Sequence, residues 1–228
     1  MKRNVAFIHT SPAAIPPLAD YFRANAPELE ITNLLDDGIL RFFSRGMERE
    51  AESRLSDMLC AARDAYHSEL AMVTCSAVSR NLVLRLSDSM GIPIVKIDDA
   101  LAVKAVAAGK RLGILVTFPP TQAVTSKLIL DTAAESGCNV DLTFRVIPEA
   151  YEAILGGRPE LHDQLLLAAI EEFGRQKLDA IVLAQVSMAR LLTKLPPLPM
   201  PVLSSLTASL TTIREGLAKL SVPVIHPK

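Results

Sequence analysis

The side chain best suited to chemistry in this sequence is the thiol of Cys75. An apolar run ends at Thr74 and a helical pattern begins near Ala77, so the thiol is expected at a strand end, just before a helix. Free backbone N–H groups and the positive end of a helix dipole lower the pKa of a thiol placed there. Cys75 is therefore a candidate acid, base or nucleophile, and the alternative is a small buried residue with no chemical role.

Hydroxyl-bearing and small residues stand at the ends of the other predicted strands. In parallel α/β sheets the carboxyl ends of the strands meet where ligands bind. Hydroxyl groups donate hydrogen bonds and helix N-termini attract carboxylates, so these loops favour a pocket for a small carboxylate-bearing substrate. Ordinary helix capping is the alternative. The candidate substrate-binding residues are Thr10, Ser11, Ser76, Ala77, Thr117, Thr121, Gln185, Val186 and Ser187.

His9 ends the first predicted strand and so is expected at the same cleft. There it could donate a hydrogen bond to the substrate or act as an acid or base, against the alternative of a structural role. Tyr151 follows a strand of the second half, and its role stays open. Leu40 and Phe118 suggest that part of the pocket is apolar. The sequence contains no glycine-rich phosphate loop and no metal-ligand cluster, so we expect no cofactor and no metal.

Short apolar runs alternate with longer segments of helical spacing along the whole chain, which indicates crossover units and mainly parallel sheets. Strands are predicted at residues 4–9, 29–34, 70–74, 93–97, 111–117, 139–146, 179–184 and 201–203. Helices are predicted at residues 49–66, 78–90, 121–136, 160–175 and 205–220.

The sequence repeats itself once, at an offset of about 110 residues. Three pairs of segments correspond in the same order: RNVAFIHTSP with RLGILVTFPP, LAMVTCSAVSR with AIVLAQVSMAR, and GIPIVKIDDALAV with PMPVLSSLTASL. We therefore predict an α/β protein of two pseudosymmetric lobes, residues 1–109 and 110–228, with the active site in the cleft between them. The C-terminal helix at 205–220 is free to pack back on the first lobe. Facing lobes place Cys75 and Gln185 on opposite walls.

Composition narrows the partners to small molecules. The net charge is −1, Trp is absent and no run of like charges occurs, which argues against nucleic acid and an anionic membrane surface. No segment has the length of a signal-peptide core or a membrane span. The cysteines at positions 60, 75 and 138 lack metal-type spacing and suit a reducing cytoplasm, where we expect the protein.

The sequence resembles the aspartate/glutamate/hydantoin racemase superfamily, which also contains maleate isomerases and arylmalonate decarboxylases. The motifs that carry the resemblance are VTCS at 73–76, LAQVSMA at 183–189, HTSP at 9–12 and NLLDDGILR at 33–41. The resemblance implies a cofactor-independent isomerase in which Cys75 is the catalytic thiol. It also implies a possible homo-oligomer, since family members are often dimers or larger.

Racemases of this superfamily place one cysteine on each face of the substrate, one to remove the α-proton and one to deliver a proton. Here the first position matches Cys75, but the second holds Gln185, which has no titratable proton. A two-base racemase is therefore in doubt. In each remaining reaction, Gln185 is expected to donate a hydrogen bond to a carboxylate or enolate oxygen.

Three reactions remain open with a single thiol. They are decarboxylation with protonation on one face, cis–trans isomerisation by thiol addition, and a one-base or His9-assisted epimerisation. An isomerase is the leading hypothesis and a lyase is the close alternative. A non-catalytic small-ligand-binding protein is a third possibility, and it differs from both because it does not need an ionised thiol at Cys75.

Overall fold

Two four-stranded parallel sheets form the framework of the protein, and the computed structural model describes residues 2–220. The strands are β1 (Arg3–His9), β2 (Leu29–Leu35), β3 (Leu70–Val73), β4 (Ile94–Lys96), β5 (Arg111–Val116), β6 (Asp141–Val146), β7 (Ala180–Leu183) and β8 (Val202–Ser204). The first sheet has the order β2-β1-β3-β4, and the second repeats it as β6-β5-β7-β8. The predicted α/β class with two similar parallel sheets is confirmed.

Helices cover both faces of each sheet. They are α1 (Ile15–Asn25), α2 (Ile39–Ser44), α3 (Glu48–Asp64), α4 (Arg80–Met90), α5 (Asp99–Ala108), α6 (Pro120–Glu135), α7 (Pro148–Leu155), α8 (Pro159–Gly174) and α9 (Ser205–Leu220). Two short 3₁₀ helices, Pro12–Ala14 and Val186–Leu191, follow β1 and β7. Across residues 2–220, every helix is too short or too polar to cross a membrane.

The strand sequences follow from this layering. The inner strands β3 and β7 read LAMV and AIVL, and every residue of both is buried because helices lie on each side of the sheet. The outer strand β6 alternates between exposed and half-buried residues, since its sheet edge and one face meet solvent. Continuous apolar runs therefore mark the sheet centres, where the strand-end loops with Cys75 and Gln185 originate.

The two halves of the chain exchange helices. Helix α5 belongs to the first half in sequence, yet Leu101 and Ala105 pack in the core of the second sheet. Helix α9 ends the described chain, and its Leu210 and Ile213 pack beneath β1 and β3 of the first sheet. Each sheet is thus completed by a helix from the other half, which joins the halves through apolar packing.

The structure of the segment after Cys75 differs from the one predicted. Helix α4 begins at Arg80 rather than near Ala77, and the Ser79 hydroxyl accepts a hydrogen bond from the N–H of Leu82 as its cap. A tight turn occupies the residues between the thiol and the helix. The local amides of this turn, and not the end of a long helix, are therefore the groups that face Cys75.

Gly113 lies in the middle of β5, where the side chains of Leu178 and Phe173 pack close to its backbone. A Cβ at this position would lie 2.6 Å from Cδ1 of Leu178 and 3.0 Å from Cδ2 of Phe173. Gly113→Ala is therefore expected to lower the free energy of unfolding by about 1–3 kcal/mol through overpacking. Urea unfolding followed by circular dichroism measures this change.

Gly137→Asn is the control for that variant. No atom lies within 4 Å of a Cβ at Gly137, and Asn tolerates its φ of +67°. We expect a change below about 1 kcal/mol. Equal losses in the two variants would contradict the packing explanation.

Candidate active site

A cavity lies where the strand-end loops of the two sheets face each other. It encloses about 440 Å³ of empty space, its open mouth included. Cys75 and every residue that we assigned to substrate binding from the sequence line it. The cavity has the position of a small-molecule site in a parallel α/β fold, and the roles of its residues stay a prediction.

Cys75 and Gln185 occupy equivalent positions in the two halves. The N–H of Thr74 donates to the carbonyl of Ile8 at 3.1 Å, and the N–H of Ala184 donates to the carbonyl of Leu115 at 3.1 Å. Each strand then enters the same turn. Val78 donates its N–H to the Cys75 carbonyl at 3.2 Å, and Met188 donates to the Gln185 carbonyl at 3.1 Å.

The same hydrogen-bond register makes Thr10 the counterpart of Thr117. Asp36 donates its N–H to the carbonyl of His9 at 3.1 Å, and Ile147 donates to the carbonyl of Val116 at 2.8 Å. Thr10 and Thr117 are the residues that follow these two carbonyls. An ungapped alignment of the two segments pairs Thr10 with Phe118, so the sequence repeat is displaced by one residue in the structure. One threonine from each sheet therefore stands at the cavity.

The thiol of Cys75 is almost completely enclosed, with 7% of the residue exposed. Burial raises its pKa, because the thiolate loses solvation. Several groups act in the opposite direction: the Thr10 hydroxyl, the backbone N–H groups of Ala77 and Val78, and the charge of Lys96. The thiol is thus protonated in the empty site, and groups that favour its thiolate surround it.

Gln185 is held in one orientation by the backbone. Its Oε1 accepts a hydrogen bond from the N–H of Thr117 at 3.0 Å. A backbone N–H can only donate, so this contact assigns the amide oxygen and leaves the NH₂ group as the free end of the side chain. Because Gln185 lines the cavity, its NH₂ group is available to donate a hydrogen bond to a bound molecule, and the predicted role of this residue in substrate binding stays a prediction.

The hydroxyl of Ser76, which lines the cavity, is engaged by the other half of the protein. Its hydroxyl donates to the carbonyl of Ala184 at 2.6 Å, across the junction of the two sheets. The hydroxyl has only one proton, so Ser76 cannot also donate through its side chain to a substrate. The residue instead ties the turn that carries Cys75 to the strand end that carries Gln185.

His9 lies behind the cavity wall and does not line it. Its Nδ1 is 2.8 Å from Oγ1 of Thr74 and its Nε2 is 2.9 Å from Oδ1 of Asn33, and the residue is fully buried. Burial lowers the pKa of His9, which keeps the ring neutral. His9 therefore supports Thr74 beside the thiol, and the acid–base role predicted for it stays a prediction.

Five lining residues were not among those assigned to substrate binding from the sequence, although Leu40 and Phe118 were expected to make part of the pocket apolar. They are Ala14, Leu40, Thr74, Phe118 and Tyr151. The rings of Phe118 and Tyr151 contact each other with centroids 5.5 Å apart and form an apolar wall. Burial raises the pKa of Tyr151, and the hydroxyl of Ser11 acts in the opposite direction. The position of Tyr151 after a strand of the second half was the only available signal, and it did not separate a site residue from a surface residue.

Backbone amides provide the remaining donors. Among residues 2–220, the N–H groups of Ser76, Val186 and Ser187 donate to no oxygen of the protein. The latter two begin the 3₁₀ helix, where the first amides have no acceptor within the helix. The Ser11 hydroxyl also lines the cavity, beside Tyr151. The cavity therefore offers hydrogen-bond donors from both halves to an anionic oxygen.

Solved structures of several racemases share the fold. A glutamate racemase from Bacillus anthracis is 14% identical, with 96% of this chain and 83% of that chain covered, and the TM-score is 0.76. An allantoin racemase from Klebsiella pneumoniae is 17% identical, with 100% and 96% covered and a TM-score of 0.66. An aspartate racemase from Picrophilus torridus is 12% identical, with 94% of each chain covered and a TM-score of 0.69. At these identities the likeness shows the fold alone.

The family follows from the sequence itself. The profile of the Asp/Glu/Hydantoin racemase family matches residues 8–226. The chain belongs to this family, as its motifs predicted. Among curated proteins, no sequence matches this chain.

The contact between Thr10 and Cys75 gives a test of the site's electrostatics. Thr10→Val removes a hydroxyl that favours the thiolate, so the pKa of Cys75 is expected to rise. Well below the alkylation midpoint, alkylation is then expected to be about fivefold slower, the equivalent of one hydrogen bond of about 1 kcal/mol. The pH dependence of iodoacetamide alkylation, followed on the peptide that contains Cys75, measures it.

Thr121→Val is the matched control, because Thr121 lines the same cavity but is not among the groups that act on the thiol. Its alkylation midpoint is expected to equal that of the unmodified protein. Equal shifts in the two variants would show that general cavity polarity, and not the Thr10 hydroxyl, acts on Cys75.

Proposed function

We propose that this protein is a cofactor-independent isomerase that transfers a proton at a carbon next to a carboxylate or an equivalent carbonyl, with Cys75 as its single thiol acid–base. The observation that carries the proposal is the placement of Cys75. The thiol lies in a closed strand-end turn that lines the cavity, surrounded by donors that favour its thiolate. A protein that only binds a ligand has no need of this arrangement.

The chemical step uses the thiol and the donors together. The thiolate of Cys75 takes the proton from the substrate carbon, and the electron pair of the broken C–H bond forms the carbon–carbon double bond of an enolate. Negative charge collects on the substrate oxygens, where the free amides and the Gln185 NH₂ group stabilise it. The thiol then returns a proton to the carbon, which restores the thiolate. Return to the same face exchanges the hydrogen only, whereas return after the enolate has turned over in the cavity inverts the centre and gives the isomer.

The cavity lining also suggests which substrates fit. Cys75 and Tyr151 are its only titratable side chains among residues 2–220, and it includes no Asp, Glu, Lys or Arg. An α-amino acid would bring its ammonium group into a closed site without a carboxylate partner, which is costly. The proposed substrates are therefore small carboxylates without an ammonium group or hydantoin-like rings, with an apolar substituent against Phe118 and Tyr151.

Proton NMR in D₂O tests this function. A panel of hydantoins, 2-substituted carboxylates, substituted malonates, maleate, aspartate and glutamate is incubated with the protein. We expect exchange at the α-carbon for compounds without an ammonium group. Cys75→Ala is expected to lower the rate by about 10²–10⁴-fold, the usual contribution of a positioned acid–base group.

Cys60→Ala and Cys138→Ala are the matched controls, because neither residue lines the cavity. Both are expected to keep the full rate. Binding of a panel compound with no exchange, or exchange that survives in Cys75→Ala, would favour a binding protein or a different catalytic group.

A decarboxylase is the second candidate, and Gln185 is the observation that favours it. The position equivalent to Cys75 in the second half holds an amide that cannot give or take a proton at neutral pH. Loss of CO₂ from a substituted malonate leaves an enediolate that needs one proton on one face only. Release of CO₂ with formation of one enantiomer in the same experiment would support this candidate over an isomerase.

Gln185→Cys examines the one-sided chemistry directly. If Cys75 alone transfers protons, the unmodified protein exchanges the α-hydrogen of a chiral substrate faster than it inverts the centre. A thiol at position 185 supplies an acid on the opposite wall, so the ratio of inversion to exchange is expected to rise by about tenfold or more. Circular dichroism of the product, combined with NMR, measures both rates.

Gln185→Ser is the control, since it removes the amide without adding a thiol. Its rate is expected to fall, because the enolate loses a donor, while the ratio of inversion to exchange stays unchanged. A ratio near one in the unmodified protein would show that a second acid already operates there.

A further inference from the structure

A buried ion pair lies at the end of β4 and in the turn that follows it, outside the cavity, and the proposed reaction does not use it. Lys96 contacts Asp98, and the two side chains are 0% and 3% exposed. Removal of two charges from water carries a penalty of several kcal/mol per ion, which mutual attraction offsets only in part. The second carboxylate oxygen of Asp98 is buried without a partner among the described residues. Such a pair is a weak source of stability, so its position calls for another explanation.

The strand register places Lys96 beside the thiol. In the pairing of β3 with β4, Ala71 is opposite Ile94 and Val73 is opposite Lys96. Alternate residues of a strand face the same side, so Lys96 shares the sheet face of Ile94. Cys75, Val73 and Ile94 belong to one core cluster on this face. Lys96 therefore neighbours Val73, and Cys75 is the next residue along that face.

The pseudosymmetry of the fold provides an internal comparison. In the second sheet Leu183 is opposite Ser204, just as Val73 is opposite Lys96 in the first. The same register makes Leu206 the counterpart of Asp98. The half that contains the thiol thus has a buried ion pair beside it, and the half that contains Gln185 has a serine and a leucine there.

We propose that Lys96 is a positioning residue whose buried ammonium group stabilises the thiolate of Cys75, and that Asp98 keeps this ammonium group charged within the core. The inference rests on the proposed function, since it assigns the pair to the reactivity of the catalytic thiol. Lys96 touches no substrate in this scheme. It acts through the electric field at the sulfur, which falls off slowly in a poorly solvated interior.

The other titratable groups around the thiol do not replace this charge. Tyr151 approaches from α7, and burial raises its pKa, so it is neutral. His9 lies behind Thr74 on β1, and burial lowers its pKa, so it is also neutral. Burial raises the pKa of Asp98 while Lys96 lowers it, which makes the two members of the pair depend on each other. Of these groups, Lys96 alone favours the thiolate by its charge.

The test is the pH dependence of Cys75 alkylation by iodoacetamide, read on the peptide that contains Cys75. The double variant Lys96→Met/Asp98→Leu removes both charges, so that the first half, like the second with its Ser204 and Leu206, has no buried ion pair at these positions. Its alkylation midpoint is expected to rise by about one pH unit, the lower range for loss of a nearby opposite charge. At pH values well below both midpoints, alkylation is then about tenfold slower.

Two further variants keep the result interpretable. Lys96→Gln leaves a polar partner for Asp98 and is expected to show a rise in the same direction, which replaces the double variant if that variant does not fold. Lys127→Met removes an exposed lysine of α6 that pairs with Asp131, and its midpoint is expected to stay unchanged. Circular dichroism establishes that each variant is folded.

A folded Lys96 variant with the midpoint of the unmodified protein overturns the inference. Alkylation needs no substrate, so this result is independent of the proposed function. A shifted midpoint in a protein without Cys75-dependent turnover would refute the function and leave the charge effect in place. Cys75-dependent turnover with coincident midpoints would refute the role of Lys96 alone.

Discussion

The hydrogen bond from the Ser76 hydroxyl to the Ala184 carbonyl is the contact on which the site depends. In a parallel sheet the carboxyl ends of all strands lie at the same edge. Each half by itself therefore offers only a turn with a few free backbone amides there. The 2.6 Å bond joins the two turns where the sheets meet and fixes the distance between the walls. The exchange of α5 and α9 between the halves supports the same junction through apolar packing. The cavity, with its open mouth, is therefore formed by the strand ends of both sheets together.

Closure has opposing effects on the chemistry. Enclosure removes water from Cys75 and raises its pKa, which makes the thiolate a stronger base but a rarer one. The Thr10 hydroxyl, the turn amides and the charge of Lys96 lower the pKa again without admitting solvent. At the equivalent position of the second half, the neutral amide of Gln185 accepts a hydrogen bond from the N–H of Thr117. No buried charge has to be stabilised there. The same turn thus holds a thiol in one half and an amide in the other.

Much of the fold could be predicted from the sequence because its signals are local or repeated. Apolar runs located all the strands, and three matching segments indicated two similar sheets. The same reasoning failed where competing local contacts decide the outcome. The start of α4 moved to Arg80 because Ser79 caps it, and the repeat is displaced by one residue between β1 and β5. Neither the helix cap nor the one-residue displacement changes the spacing of apolar residues, so hydrophobic periodicity could not predict them.

The sequence by itself determined the α/β class, the family motifs and the loops that line the cavity, since strand ends follow from strand positions. Only the tertiary structure decided what each side chain does there. His9 and Ser76 are polar strand-end residues like their neighbours. In the folded protein, however, the His9 ring is hydrogen-bonded to the Thr74 hydroxyl, and the Ser76 hydroxyl donates to the carbonyl of Ala184. In the sequence Lys96 looks like an ordinary charged residue. Only the register of β3 and β4 places it beside Val73. Hydrogen-bond partners and burial depend on contacts between residues far apart in the chain, and such contacts exist only in the folded molecule.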